Sequence, residues 1–204
     1  MVSSNLWFYV GWGVSGVALL LLAGWVGKAS PQGEILGILI DTRGRYSLTH
    51  LQIVLWTIVI LSSFLGVLVA HGWDAASISF PPELLGLMGI SAGSAVCATG
   101  VKGAKDASGS AKIARQGAKF PEPDGTTRII SKSLAQIWLE EEGSEADKVV
   151  SITKFQNFIF TLVILVVYIS IASKSGGLPQ LPDNVVWLIG ISHAGYVGGK
   201  IPNK

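Results

Sequence analysis

Three stretches of the chain, 6–27, 51–70 and 155–173, are mostly apolar and contain no charged residue. A bilayer core about 30 Å thick takes roughly 20 helical residues to cross, so each stretch is long enough to span it as an α-helix. Two shorter apolar stretches, 84–101 and 184–199, are candidate crossings. The first stretch, NLWFYVGWGVSGVALLLLAGWVG, lacks the basic flank, the short apolar core and the small-residue cleavage site of a secretory signal, so a retained helix is expected. Trp7, Tyr9 and Trp12 at one end and Trp25 at the other suit the two membrane–water boundaries.

Composition supports the membrane reading. Half of the 204 residues are hydrophobic and 14% are charged, and the mean hydropathy of +0.53 is too apolar for an ordinary soluble domain. A single cysteine, Cys97, rules out an internal disulfide. Loop charge then predicts topology. Lys28, Arg43 and Arg45 follow the first stretch, whereas the connection 71–82 has neither Lys nor Arg. Lys102, Lys105, Lys112, Arg115, Lys119, Arg128 and Lys132 crowd the middle loop, one Lys lies in 174–183, and Lys200 and Lys204 follow the last stretch. Basic and near-neutral loops alternate only if both short stretches cross completely. That predicts five transmembrane helices, with the N-terminus outside and the C-terminus in the cytoplasm.

The chain also aligns with itself. YSLTHLQIVLWTIVILSSF from Tyr46 matches VSITKFQNFIFTLVILVVY from Val150 without a gap, pairing Ser47 with Ser151, Thr49 with Thr153, Gln52 with Gln156 and Thr57 with Thr161. PPELLGLMGIS from Pro81 matches PDNVVWLIGIS from Pro182, and ILIDTRG from Ile38 matches IWLEEEG from Ile137. The expected fold is thus an all-α polytopic membrane protein: an N-terminal helix (1–30), a hairpin unit (33–101), a basic cytoplasmic linker (102–131) and a second, parallel hairpin unit (132–204). Thr49 with Gln52, and Thr153 with Gln156, fit capping boxes, and Pro81, Pro82 and Pro182 fit helix starts. The repeated SLTxxQxxxWT and LxGIS segments resemble uncharacterised bacterial membrane proteins built from similar hairpins. The resemblance covers roughly two-thirds of the chain, with Phe160 replacing Trp56 in the second copy. It implies a bacterial cytoplasmic (inner) membrane location and carries no activity across.

Gly89-Ile90-Ser91-Ala92-Gly93 has the G-x-S-x-G form of a hydrolase elbow, but that motif needs a strand-to-helix turn and here lies inside an apolar stretch. Its counterpart Gly190-Ile191-Ser192 suggests a packing role instead. Gly86, Gly89 and Gly93, with Gly190, Ala194 and Gly195, are expected to let the two short helices approach closely. His193 is the one Asp, Glu, Lys, Arg or His well inside a crossing stretch, which makes Ser91, Ser94 and His193 a candidate polar site. A rhomboid-like protease would pair Ser91 with His193, and a channel would line its path with Ser91, Ser94, Thr99 and His193. The blander reading is interhelical hydrogen bonding. Glu83 and Asp183 read as charges favoured by helix N-termini, or as an acidic ring in an oligomer.

The middle loop begins with a basic piece rich in Ala, Gly and Ser, which suits a cytoplasmic extension of the third helix. Lys102, Lys105, Lys112 and Arg115 are candidates for anionic lipid headgroups. After FPEPDGTT, the segment RIISKSLAQIWLEEE spaces Ile130, Leu134, Ile137 and Trp138 as an amphipathic helix, with Ile137 and Trp138 offered to lipid or a partner. No Walker loop, zinc spacing, haem motif or dinucleotide fingerprint is present, so no cofactor, metal, catalytic residue or nucleic-acid partner is expected. The favoured function is a non-enzymatic membrane scaffold or anchor, as a homo-oligomer or part of a larger complex. An oligomeric channel is the alternative, and the intramembrane protease a minor one.

Overall fold

The computed structural model describes residues 2–109 and 113–200. Its helices are α1 (Val2–Ala29), α2 (Leu48–Ala70), α3 (Pro82–Ser108), α4 (Ile152–Ser175) and α5 (Asp183–Gly198). The first four are long and apolar enough to cross a membrane, which fits a multi-pass membrane protein. α5 falls short of the expected fifth span: its 16 residues rise only about 24 Å. Proline starts both α3 and α5, with Pro81 and Pro182 as N-caps and Pro82 in the first turn of α3. A missing N–H is harmless there because the first turn has no intrahelical acceptor. α4 stops at Gly176, whose φ of 62° is the left-handed conformation that glycine adopts without strain.

The main core lies between α2, α3, α4 and α5. Trp56 and Ile60 meet Leu84 and Leu87, Ile164, Leu165 and Tyr168, and Ile189. α3 packs on α5, and α5 on α4, while α1 lies along α2. Many apolar side chains face outward, among them Leu21, Val96, Val166 and Ile191. In a bilayer, such residues meet lipid and carry no penalty.

The segments before α2 and α4 fold alike. Ser47 N–H donates to Leu39 O (2.9 Å) and Asp41 N–H to Arg45 O (2.9 Å); likewise Ser151 N–H donates to Trp138 O (2.8 Å) and Glu140 N–H to Val149 O (2.9 Å). A short 3₁₀ turn precedes each, at Gly37–Leu39 and Leu134–Ile137. These geometries replace the expected capping boxes. Ser47 and Ser151 occupy the N-cap positions without a side-chain cap bond, so Thr49 and Gln52 lie inside α2, where their polar atoms turn toward other helices.

The expected amphipathic helix is absent. Thr127–Ile129 instead forms β2, antiparallel to β1 (Lys119–Pro121), with Phe120 opposite Arg128. Thr127, Ile129 and Ile130 are β-branched and favour an extended backbone, and Asp124-Gly125 supplies the turn. Phe120 and Ile130 bury with Ala114 and Ala146 as a small separate core. Ile137 and Trp138 also differ from expectation. Ile137 is buried with Leu48, Ala98 and Tyr196, and half-buried Trp138 packs on Phe158, so neither is offered to a partner.

Candidate functional site

Hairpin geometry brings the start of α2, the end of α3, the start of α4 and the end of α5 to one end of the bundle. Charged residues there form a buried network centred on Glu141. Its carboxylate takes Lys154 Nζ at 2.6 Å, Lys102 Nζ at 3.0 Å, Arg43 Nη1 at 3.2 Å and Lys200 Nζ at 3.3 Å. Four segments thereby converge on one acid. Arg43, whose side chain is 0% exposed, also reaches Asp106 (2.9 Å) and Glu142 (3.4 Å). Lys102 bonds Asp41 at 2.7 Å, Lys105 bonds Glu142 at 2.6 Å, and Arg45 bonds Asp147 at 2.5 Å.

Burying charge is tolerable only when partners replace water, and here each buried ion has them. Burial alone raises the Glu141 carboxyl pKa, but the ammonium groups of Lys154, Lys102 and Lys200 outweigh it and hold Glu141 well below the usual carboxylate range. Asp41 is lowered in the same way: burial works against ionisation, and Lys102 reverses the balance. Both acids are therefore ionised partners at neutral pH.

This arrangement corrects the lipid-headgroup expectation for two residues. Lys102 is buried and doubly paired, and Lys105 is held by Glu142, so neither points freely outward. Arg115 is half-exposed and pairs with Asp106 at 3.3 Å. Lys112 lies outside the described residues. The ILIDTRG and IWLEEEG segments align in sequence, but alignment carries no information on whether their acids and bases are buried. Only the three-dimensional convergence of the four helix ends reveals their burial.

A second polar cluster runs between the helices. Gln52 Nε2 donates to Thr161 Oγ1 (2.6 Å), Asn157 Nδ2 to Gln52 Oε1 (3.5 Å), and Ser192 Oγ to Asn157 Oδ1 (3.1 Å). Thr49 and Tyr196 share a hydroxyl bond of 3.0 Å, as do Ser63 and Tyr168 at 2.6 Å. These contacts tie α2 to α4 and α5, and α4 to α5. In lipid each would otherwise be a polar group without a partner. The space between Trp56, Asn157, Thr161, Ser192 and His193 has no room for a water molecule.

The geometry changes the candidate polar site. His193 Nδ1 lies 2.6 Å from Ser94 Oγ, not against Ser91. Ser94 Oγ also donates its one proton to Ser91 O at 3.0 Å. With that proton committed, the imidazole Nδ1–H is the donor to Ser94. Ser91 Oγ is buried and has no hydrogen-bond partner among the described residues. The α3 and α5 helices do pack together, with a Cβ at Gly86 falling 3.6 Å from Val186 and one at Gly190 falling 3.7 Å from Ile90. Those are ordinary side-chain contacts, not close backbone approaches. At Gly89, Gly93 and Gly195 a Cβ would meet nothing within 4 Å, and Ala194 lines an open apolar groove with Ile90 and Trp187. The tight backbone contact lies elsewhere, where Gly11 of α1 crosses Gly66 of α2.

No protein-family model matches the chain, and no curated protein or solved structure does either.

Proposed function

We propose that the chain is a non-enzymatic membrane anchor or scaffold that self-associates along the outward face of α3. One observation carries this reading. Gly89, Gly93, Val96, Gly100, Gly103 and Ala107 are all exposed and, at 3.6 residues per turn, fall on one face of α3 about 80° wide. Within the chain these glycines have no packing use, since a Cβ at Gly89, Gly93, Gly100 or Gly103 meets nothing within 4 Å. Each nevertheless costs a helix about 1 kcal/mol relative to alanine. Small residues on one face of an apolar helix are the surface that a second helix approaches closely in lipid. The second copy of the chain is its partner in this reading.

The fuller topology belongs to the same proposal. α5 joins the bundle beside Leu181 and ends where Lys200 meets Glu141. In this reading it counts as the fifth crossing although it is shorter than the other helices, with the ion-pair end in the cytoplasm of a bacterium and the N-terminus outside. The matching loops before α2 and α4 support an origin by duplication. The polar cluster supports a non-conducting role, because its amides and hydroxyls are spent on one another.

Cys97 provides the test. It is exposed beside the α3 face and is the chain's one cysteine. Mild oxidation in native membranes should give a covalent dimer, and Gly93→Leu should reduce its yield about tenfold while leaving the thermal stability of the monomer unchanged. A monomeric mass in mild detergent without a cross-link, or a cross-link only to a different protein, would contradict self-association.

A further inference from the structure

A cavity of about 290 Å³ opens at the ion-pair end of the bundle, between the end of α3, the start of α4 and the end of α5. We propose that it binds an anionic phosphate group, free or carried by a lipid headgroup, with Lys105 and Lys200 as its main contacts. Charge balance favours an anion there. Among the described residues, Arg43, Lys102, Lys105, Arg115, Lys154 and Lys200 are joined by ion pairs to four carboxylates, those of Asp41, Asp106, Glu141 and Glu142. Two positive charges are in excess, and one is still in excess once Glu140 is added, which lines the cavity without an ion pair. Apart from Arg115, these cations have side chains at most 12% exposed. Uncompensated charge held away from water costs free energy, and an anion set among the ammonium groups removes that cost.

The donors that an anion needs line the same space. Lys105 donates to Glu142 at 2.6 Å and Lys200 to Glu141 at 3.3 Å, and each ammonium keeps two further N–H groups. Lys200 is also held over the Tyr196 ring, another part of the lining. Lys154 contributes charge rather than a donor, because its protons go to Glu141, Leu139 O and Gln136 O. The Ser151 and Thr153 hydroxyls, 3.2 Å apart, complete the polar wall. Ser151 makes no side-chain cap, so the first N–H groups of α4 add backbone donors beside them. A phosphate group uses such a set well, since its terminal oxygens accept from several donors at once and its charge offsets the excess. Val150 and Ile152, apolar and exposed, flank the opening, which gives the chains of a lipid a path along α4.

Equilibrium dialysis of radiolabelled inorganic phosphate, and separately of radiolabelled dihexanoyl phosphatidic acid, against the full-length protein in a nonionic maltoside detergent at constant ionic strength tests the assignment. The expected result is saturable binding of one phosphate group per chain, weakened about tenfold in Lys105→Ala and in Lys200→Ala and lost in the double variant. Binding of the lipid alone assigns the site to a headgroup, and equal affinity for both probes assigns it to the phosphate itself. Saturable binding of neither overturns the proposal, as does undiminished binding by the double variant. Should the variants fail to fold, amine acetylation of the wild type decides the question. Bound ligand should slow acetylation of Lys105 and Lys200 about tenfold and leave that of exposed Lys148 unchanged; rates at Lys105 and Lys200 that do not respond to either probe refute the site.

Discussion

Glu141→Ala is expected to destabilise the protein by about 3–5 kcal/mol, the cost of leaving buried charges without their counter-ion. The substitution removes a single carboxylate and leaves Lys154, whose side chain is 5% exposed, with no acidic partner, while Lys102 and Arg43, 11% and 0% exposed, keep only Asp41 and the pair Asp106 and Glu142. Those cations would then face one another at short range without water. For a chain of this size the loss corresponds to a fall of about 10 °C in the unfolding midpoint. Glu122→Ala is the control. Its partners Arg128 and Lys148 belong to the solvent-facing hairpin region, so removing the acid should leave the midpoint unchanged. Thermal unfolding of the two variants in the same detergent decides between a structural hub and a peripheral charge. Equal midpoints would mean that the network contributes nothing beyond a surface pair.

The same network fixes the direction of the pH response. Glu141 and Asp41 have folded-state pKa values below the ordinary carboxylate values. A depressed pKa means that the unfolded chain binds the proton more tightly than the folded one. The associated stability is thus fully present above about pH 5, and declines as pH falls through the unfolded and then the depressed folded values. Midpoints measured from pH 7 down to pH 3 should fall for the wild type and fall less steeply for Glu141→Ala. A wild-type midpoint that stays level across that interval would show that the carboxylates are not held as ionised partners.

The apolar helices were legible from sequence because lipid imposes a simple length rule on them. The network was not, and the reason is specific. Asp41, Arg43 and Arg45 lie within seven residues of the start of α2, and Glu140, Glu141 and Glu142 within twelve of α4, which is also where solvated loop charges occur. Burial depends on the four helix ends meeting, a non-local fact. The amphipathic pattern of Ile130, Leu134, Ile137 and Trp138 misled for a related reason. Its apolar residues serve two different cores, Ile130 with Phe120 and Ile137 with Leu48, so the shared helical spacing had no single face behind it. Ser94 was recognised as a candidate alongside Ser91, yet sequence had no means of choosing which serine meets His193. One turn of α3 separates the two, and rotation of that helix decides.

Gly66→Leu is expected to prise α1 from α2. A Cβ at position 66 would lie 2.9 Å from Phe8 O and 3.0 Å from both Trp12 N and Trp12 Cβ. Two of those three atoms are backbone, so a rotamer change cannot relieve the clash and the helices must separate. Overpacking of this kind costs about 1–3 kcal/mol. Separation also breaks the bond from Trp12 Nε1 to Ser62 Oγ (3.1 Å). Gly13→Leu supplies the contrast, because a Cβ there meets nothing within 4 Å. The connection after α1 reports on docking: it folds back so closely that a Cβ at Gly27 would come within 2.2 Å of Ile35 O. Protease cleavage between residues 28 and 38 should therefore accelerate in Gly66→Leu and stay at the wild-type rate in Gly13→Leu. Identical cleavage in the two variants would mean that α1 is held by the membrane alone. The Gly11–Gly66 crossing would then contribute nothing to keeping the N-terminal helix on the bundle.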